Sequence, residues 1–148
     1  MWVVLTTDQK RAVAELAIAH AAIKLGVGVY RPLVEGGRCD LILELGAVLV
    51  RTQCKWARRH GDVVTTRCYS ARRTREGLRK RLYAAADVDA IAAYCPELDR
   101  CFFVSADRFD GHCELSLRLA ASGNNQRQRV NWAEDFAFEA RLLALLGP

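Results

Sequence analysis

The sequence predicts a single α/β domain, a mixed β-sheet flanked by helices. Three observations predict it. A long helical pattern opens the chain, several short β-patterned runs follow, and a second helical pattern closes it. That order suits layers of helix packed on sheet. The length, 148 residues, is that of one domain spanning 1–148, and a domain of this size buries roughly 70% of its unfolded surface. The composition, 51% hydrophobic and 26% charged, is ordinary for a folded soluble chain and excludes one disordered throughout.

Each element has its own signal. Thr7 and Asp8 precede the helical run AVAELAIAHAAIKLG, which Gly26 ends. This run is apolar almost all round, with Glu15 the polar exception in its first half, so it is expected to be largely buried. His20 is expected to pack within it. Val27 to Arg31 alternates and is rich in β-formers, a first strand. Residues 32–38 form a loop around Gly36 and Gly37. Asp40 to Leu45 and Val48 to Lys55 read as two strands joined by a Gly46-Ala47 turn. Val63 to Cys68 is a fourth strand.

The polar, Arg-rich stretch from Tyr69 to Leu82 reads as a loop with a helical turn. Ala90 to Cys95, Cys101 to Ser105 and Glu114 to Leu119 are short strands. Residues 122–128 form a polar loop. Asn131 to Leu146 reads as a C-terminal helix with Asn131 as its N-cap.

Six cysteines occur, with no CxxC pair and no histidine at metal-ligand spacing near them. With no signal-peptide layout at the start, they are expected to be reduced, mostly buried thiols of a bacterial-type cytoplasmic, nucleoid-associated protein. No uncharged apolar stretch reaches about 18 residues, so no membrane span is expected.

The chemistry concentrates in GGRCDLILELGAVLVRTQCKWA. In a strand, residues i and i+2 share a face. Gln53 and Lys55 therefore point one way and Cys54 the other, toward the core. Antiparallel pairing through the turn folds Asp40 back beside them. A carboxylate, an amide and an ammonium thus meet at one end of a hairpin. Asp40, the Gln53 amide oxygen and the backbone carbonyl of Cys54 are oxygen donors of the kind Mg²⁺ takes. Glu15, on the first helix, could complete or brace the set. A cation-held water is a better nucleophile, and Lys55 would position it and balance charge in the transition state. The bland alternative makes Asp40 a turn residue, Lys55 a solvated strand end and Glu15 a helix-face acid.

The spaced Asp40, Gln53-Cys54-Lys55 pattern resembles the PD-(D/E)XK nucleases. The similarity extends through RPLVEGGRCDLIL, LVRTQCKWA, ADVDAIAAYCPELDRCFFV, NNQ and NWAEDF. Within that family it is closer to the intron-encoded homing endonucleases of bacteria than to archaeal Holliday-junction resolvases. Cys39 stands where the name-giving Pro would be, and Gln53 stands where an acid is usual, as in the homing branch. The resemblance implies a restriction-endonuclease-like core and Mg²⁺-dependent hydrolysis of DNA, with Mn²⁺ as a substitute. It also implies 5′-phosphate and 3′-hydroxyl products and no organic cofactor. Asp40, Gln53 and Lys55 would carry the activity and Glu15 would assist. Asp87 and Asp89 match a family segment and are expected to be structural, with a place near the site as the alternative.

A formal net charge of +5 is compatible with a polyanionic partner. Its distribution is more telling. Arg58, Arg59, Arg67, Arg72, Arg73, Arg75, Arg79, Lys80 and Arg81 crowd one segment, opposed only by Asp62 and Glu76. Such a cluster would neutralise phosphates and release counterions, or read guanine edges. Alternatively it is a solvated loop. Asn124, Asn125, Gln126, Arg127 and Arg129 are either an adenine-reading group or a turn. Trp56 fits the core better than a base stack.

Double-stranded DNA is the expected partner. Cutting both strands with one site per chain implies a homodimer or homotetramer, with the apolar end FAFEARLLALL as an assembly surface. The rival readings are a branched-DNA resolvase, an inactive DNA-binding protein on the same core, and an RNA-processing nuclease.

Overall fold

The first helix, α1 (Thr7–Lys24), is capped one residue ahead of the predicted position. The Thr6 hydroxyl accepts the Gln9 N–H at 3.1 Å, and the Gln9 side chain accepts the Thr6 N–H at 2.9 Å. This reciprocal capping box satisfies two donors that a helix start leaves orphaned. Gly26, at φ 78, ends the helix in a conformation that costs glycine little. The computed structural model describes residues 3–121, 123–124 and 129–147.

Burial of α1 is one-sided, not all round as expected. Ala14, Ile18, Ala21 and Ala22 are buried, while Leu16 is 68% exposed and Ile23 61% exposed. His20 is also exposed. Only one layer of sheet lies against the helix, so an apolar residue on its far side finds nothing to pack on.

Strands β1 (Gly28–Tyr30), β2 (Leu41–Leu45) and β3 (Val48–Trp56) form an antiparallel meander. The Gly46-Ala47 turn falls where the sequence placed it, with Gly46 at φ 62. Strand β3 then pairs in parallel with the strand Ala90–Cys95, whose other neighbour is the antiparallel strand Arg100–Ser105. The result is a mixed five-stranded sheet, as predicted.

Its two faces are buried against different partners. Leu41, Leu43, Ala92 and Phe103 join Ile18, Ala22, Phe138 and Leu142 in one cluster. Ile91, Ala93, Phe102 and Val104 join Val64, Phe109, Leu117 and Phe136 in another. The alternation along each strand sends neighbours to opposite faces, which is why 90–95 and 101–104 read as near-continuous apolar runs.

The second cluster rests on a smaller sheet that the sequence did not reveal. It contains β4 (Arg58–His60) and β5 (Val63–Arg67). Two more strands, Glu114–Arg118 and Asn131–Trp132, complete it.

Residues 69–82 are a β-hairpin rather than the expected loop with a helical turn. Strand β6 (Tyr69–Thr74) pairs with β7 (Gly77–Leu82), from Tyr69↔Leu82 to Thr74↔Gly77. Gly77, at φ 113, follows the turn. Most of its residues lie exposed, so no apolar alternation marked it as β. Continuing in chain order, the strands already described are β8 (Ala90–Cys95), β9 (Arg100–Ser105), β10 (Glu114–Arg118) and β11 (Asn131–Trp132). A short helix, α2 (Ala106–Phe109), follows β9.

The C-terminal helix is shorter than predicted. Asn131 does not cap it but lies in β11; a 3-10 turn covers Ala133–Phe136, and α3 is Phe138–Leu146. Ala133 and Phe136 belong to one cluster, and Phe138 and Leu142 to the other. The chain must cross the edge of β9 between them, where Ala137 bridges Phe102. One continuous helix could not serve both faces.

All six cysteines are free, four of them buried. Among the described residues, no helix is long and apolar enough to cross a membrane.

Candidate active site

The end of β3 and the loop before β2 meet where the five-stranded sheet meets the basic hairpin. Asp40 donates its backbone N–H to the Thr52 carbonyl at 2.9 Å. Its carboxylate in turn accepts the backbone N–H of Cys54 at 2.9 Å. In an extended strand, the N–H and C=O of one residue point to the same side. The Cys54 carbonyl therefore shares the Asp40 side of β3. The Cys54 side chain turns into the core and is only 7% exposed, as the alternation predicts.

Gln53 is buried, and its amide nitrogen donates to the Arg38 carbonyl. That bond fixes the amide and leaves its oxygen as the end able to meet a cation. Lys55 donates from Nζ to the Tyr69 carbonyl at 2.9 Å, with the ammonium 4.9 Å from the centre of the Tyr83 ring. Partial burial pulls the Lys55 pKa down to about 8, against the opposing pull of Asp40. Burial raises the Asp40 carboxyl above its ordinary value, although the Cys54 N–H, Arg11 and Lys55 favour its charge. The Glu15 carboxyl is also raised, by burial first and then by the charge of Asp40. The α1 acid thus feels the charge of the hairpin acid.

The donor chemistry fits a hard divalent cation. Asp40, the Gln53 amide oxygen and the Cys54 carbonyl lie along this stretch of β3 and its partner loop, and Glu15 feels the Asp40 charge from α1; all are oxygen donors. Among the described residues, no three His, Cys, Asp or Glu side chains are grouped to hold a metal. Gln53, as an amide, supplies a neutral oxygen where the usual pattern has a charged one.

The candidate DNA-contacting residues divide. Arg72, Arg73, Arg75, Arg79, Lys80 and Arg81 all lie exposed on the β6–β7 hairpin. Arg58 and Arg59 are exposed on β4, and Arg67 is exposed at the end of β5. Asn124 instead lines a separate open cleft with His112, Glu114, Arg118 and Arg129, apart from the catalytic candidates. Asn125, Gln126 and Arg127 lie outside the described residues. Trp56 is partly buried, edge-on to Tyr94 with ring centres 6.1 Å apart.

Sequence reasoning missed Arg38, Tyr83 and the reach of Asp87. Arg38 stacks 4.0 Å from the centre of the Tyr83 ring and pairs with Asp87 at 3.3 Å. Position alone could have flagged Arg38, two residues before Asp40. Asp89 is structural as expected: it meets the Arg51 guanidinium at 3.0 and 3.2 Å and its backbone N–H at 2.8 Å.

The mixed sheet flanked by helices is a restriction-endonuclease-like fold. A family model described as PD-(D/E)XK endonuclease matches residues 5–139. The chain belongs to that family and is a DNA endonuclease. It is similar to a solved structure titled "The structure of a bacterial homing endonuclease: I-Ssp6803I". The two share 25% identity and a TM-score of 0.76, over 95% of this chain and 94% of that one. No curated protein matches.

Proposed function

We propose that this endonuclease is divalent-metal-dependent and cuts duplex DNA at a specific site, as a homing-type enzyme. The observation that carries the reading is the Cys54–Asp40 bond. It sets the carboxylate beside Gln53 and Lys55 on the edge that Glu15 also approaches. Asp40, Gln53, the Cys54 carbonyl and Glu15 would hold the cation. Mg²⁺ suits an all-oxygen set that leaves room for waters, and Mn²⁺ would substitute. Such a cation, when bound, acidifies a water and offsets phosphoryl charge. Lys55 supplies positive charge to the phosphate undergoing attack, and its lowered pKa lets it hand on a proton near neutral pH.

The β6–β7 hairpin is the DNA-contacting element of this proposal. A two-stranded ribbon fits the major groove. Its pairing puts Ser70, Arg72, Arg79 and Arg81 on one face, with Ala71, Arg73, Leu78 and Lys80 on the other. Arg72, Arg73 and Arg75 have no acidic partner among the described residues, whereas Arg79 pairs with Glu76 and Arg81 with Asp87. The first three are the ones available to phosphates or guanine edges.

Two strands need two sites, so the active form is a homodimer or homotetramer. Leu16 and Ile23 on α1, with Leu143 and Leu145 on α3, are more than half exposed and offer apolar surface for assembly. Light scattering of the purified protein tests this; a monomer at cleavage-active concentration would sink it.

The decisive assay offers the chain a randomised duplex library and a four-way junction in Mg²⁺, Mn²⁺ or EDTA. Discrete duplex products that need the metal and Lys55 support the reading. Cleavage of the junction alone makes it a resolvase. Binding without cleavage makes it a DNA-binding protein with Gln53 as the lesion.

A further inference from the structure

Both strands of the basic hairpin are gripped at their base by residues of the active-site edge. On β6, the Tyr69 carbonyl accepts the Lys55 ammonium at 2.9 Å. On β7, the Arg81 and Leu82 carbonyls accept one Arg38 nitrogen, Nη2, at 3.1 and 2.9 Å. Tyr69 and Leu82 are themselves a cross-strand pair. The two grips therefore close on the same rung.

Arg38 is also joined to the site through its backbone, whose carbonyl accepts the Gln53 amide. Its side chain is held two further ways. It stacks on the buried Tyr83 ring, which faces Lys55 as well. It pairs with Asp87 at 3.3 Å, and Asp87 reaches Arg81 at 3.7 Å. Asp87 is held in place by accepting the Ala84 N–H at 3.0 Å. No other described residue both bonds the base of β7 with its side chain and receives Gln53 on its main chain.

We infer that Arg38 is a positioning residue that couples seating of the β6–β7 hairpin on DNA to the placement of Gln53 and Lys55. The inference rests on the nuclease reading and deepens it. DNA held by the outer arginines pulls on a hairpin whose base moves only with the catalytic edge. An unseated hairpin leaves Lys55 bonded to a strand free to shift. Specific binding and an aligned site are then one event, a link that suppresses cutting of poorly fitting sequences.

The test uses the full chain and duplexes selected from a randomised library by binding in EDTA. Wild type, Arg38→Gln and Arg38→Lys are compared for affinity and for single-turnover cleavage in Mg²⁺. Arg38→Gln is expected to keep Kd within about threefold while cleavage of bound DNA falls by ~100-fold. Arg38→Lys, whose ammonium can still meet the two carbonyls, should recover at least about tenfold of that rate. A loss confined to Kd, or an unchanged rate, overturns the inference.

Amide exchange on the EDTA complexes gives a readout independent of cleavage. DNA should slow exchange in β6–β7 and at residues 53–55 together in wild type, but only in β6–β7 in Arg38→Gln. Coupled protection in both proteins overturns the inference. Should Arg38→Gln fail to fold, Asp87→Asn takes its place, since it removes the charge opposite the guanidinium and keeps an oxygen for the Ala84 N–H. If wild type cuts nothing in either metal, the nuclease reading fails, and the exchange result alone decides the role of Arg38.

Discussion

Cys54 donates its backbone N–H to the Asp40 carboxylate at 2.9 Å, so the acid proposed to hold the metal is fixed by main chain rather than by a mobile side chain. One oxygen is committed to the backbone, and the group cannot swing away. Asp40→Asn keeps this shape and loses the charge. Cleavage is expected to fall ~10²–10⁴-fold, the range for losing one catalytic group, while DNA affinity in EDTA stays near wild type. Gel-shift and single-turnover assays on one duplex check both halves; cutting at the parental rate would remove Asp40 from the site.

Lys55 sets activity against stability. Burial lowers its pKa to about 8 from an ordinary 10.5. A folded-state pKa below the unfolded one means the charge opposes folding below pH 8, and the cost fades as pH rises from 8 toward 10.5. Lys55→Met removes the buried ammonium at similar volume. It should abolish cleavage yet raise Tm at pH 7 by roughly 2–4 °C, about 1 kcal/mol for a domain of this size. The gain should shrink between pH 8 and 10. A lower Tm at pH 7 would show that the Tyr69 bond outweighs the desolvation.

Gln53→Glu restores an acid and breaks a bond. The amide nitrogen now serves the Arg38 carbonyl, and a carboxylate oxygen there would meet it as acceptor against acceptor. The variant should bind Mg²⁺ more tightly, through its added charge. In EDTA it should be less stable by about 1–3 kcal/mol, the scale of a buried unsatisfied polar group. Calorimetric titration and urea melts separate the two effects. Weaker Mg²⁺ binding would argue that Gln53 is no ligand.

Neutralising Arg72, Arg73 and Arg75 together should weaken binding across all duplex sequences. Each phosphate contact contributes about 0.9 to the slope of log K against log salt. The triple alanine variant is therefore expected to reduce that slope by about 2–3. An unchanged slope would place these arginines away from the backbone.

Acid should unfasten the Arg51–Asp89 pair. Bonding to Arg51 holds the Asp89 carboxyl below its ordinary 3.8. Its stabilisation is fully present above that value and is lost as pH falls through the lower folded-state pKa. Both side chains are 42% exposed, so solvent screens the pair, and Asp89→Asn should cost only about 1 kcal/mol at pH 7. Urea melts at pH 7 and pH 3 check it: the gap between wild type and variant should narrow only below 3.8.

Much of the geometry of the candidate catalytic edge was legible in the sequence because strand periodicity is strict. Gly46-Ala47 fixed the turn, and the turn brought Asp40 back to Gln53 and Lys55. The hairpin 69–82 was illegible for the opposite reason. Its strands face solvent, so Arg and Lys occupy positions where apolar alternation would signal β-structure. Asn131 looked like a cap because caps are read locally, whereas Ala133, Phe136 and Phe138 answer to two separate clusters. Arg38 was hidden because its importance lies in partners more than 40 residues away, which no local pattern encodes.

The β6–β7 hairpin pairs with neither sheet, so it carries two open strand edges into solvent. Bare edges of this kind template the stacking of one molecule on the next. Its crowd of like charges keeps two such hairpins apart until a polyanion comes between them. The same side chains thus act as gatekeepers against self-association. An enzyme engineered for looser DNA binding by thinning these arginines would, for that reason, lose solubility along with affinity.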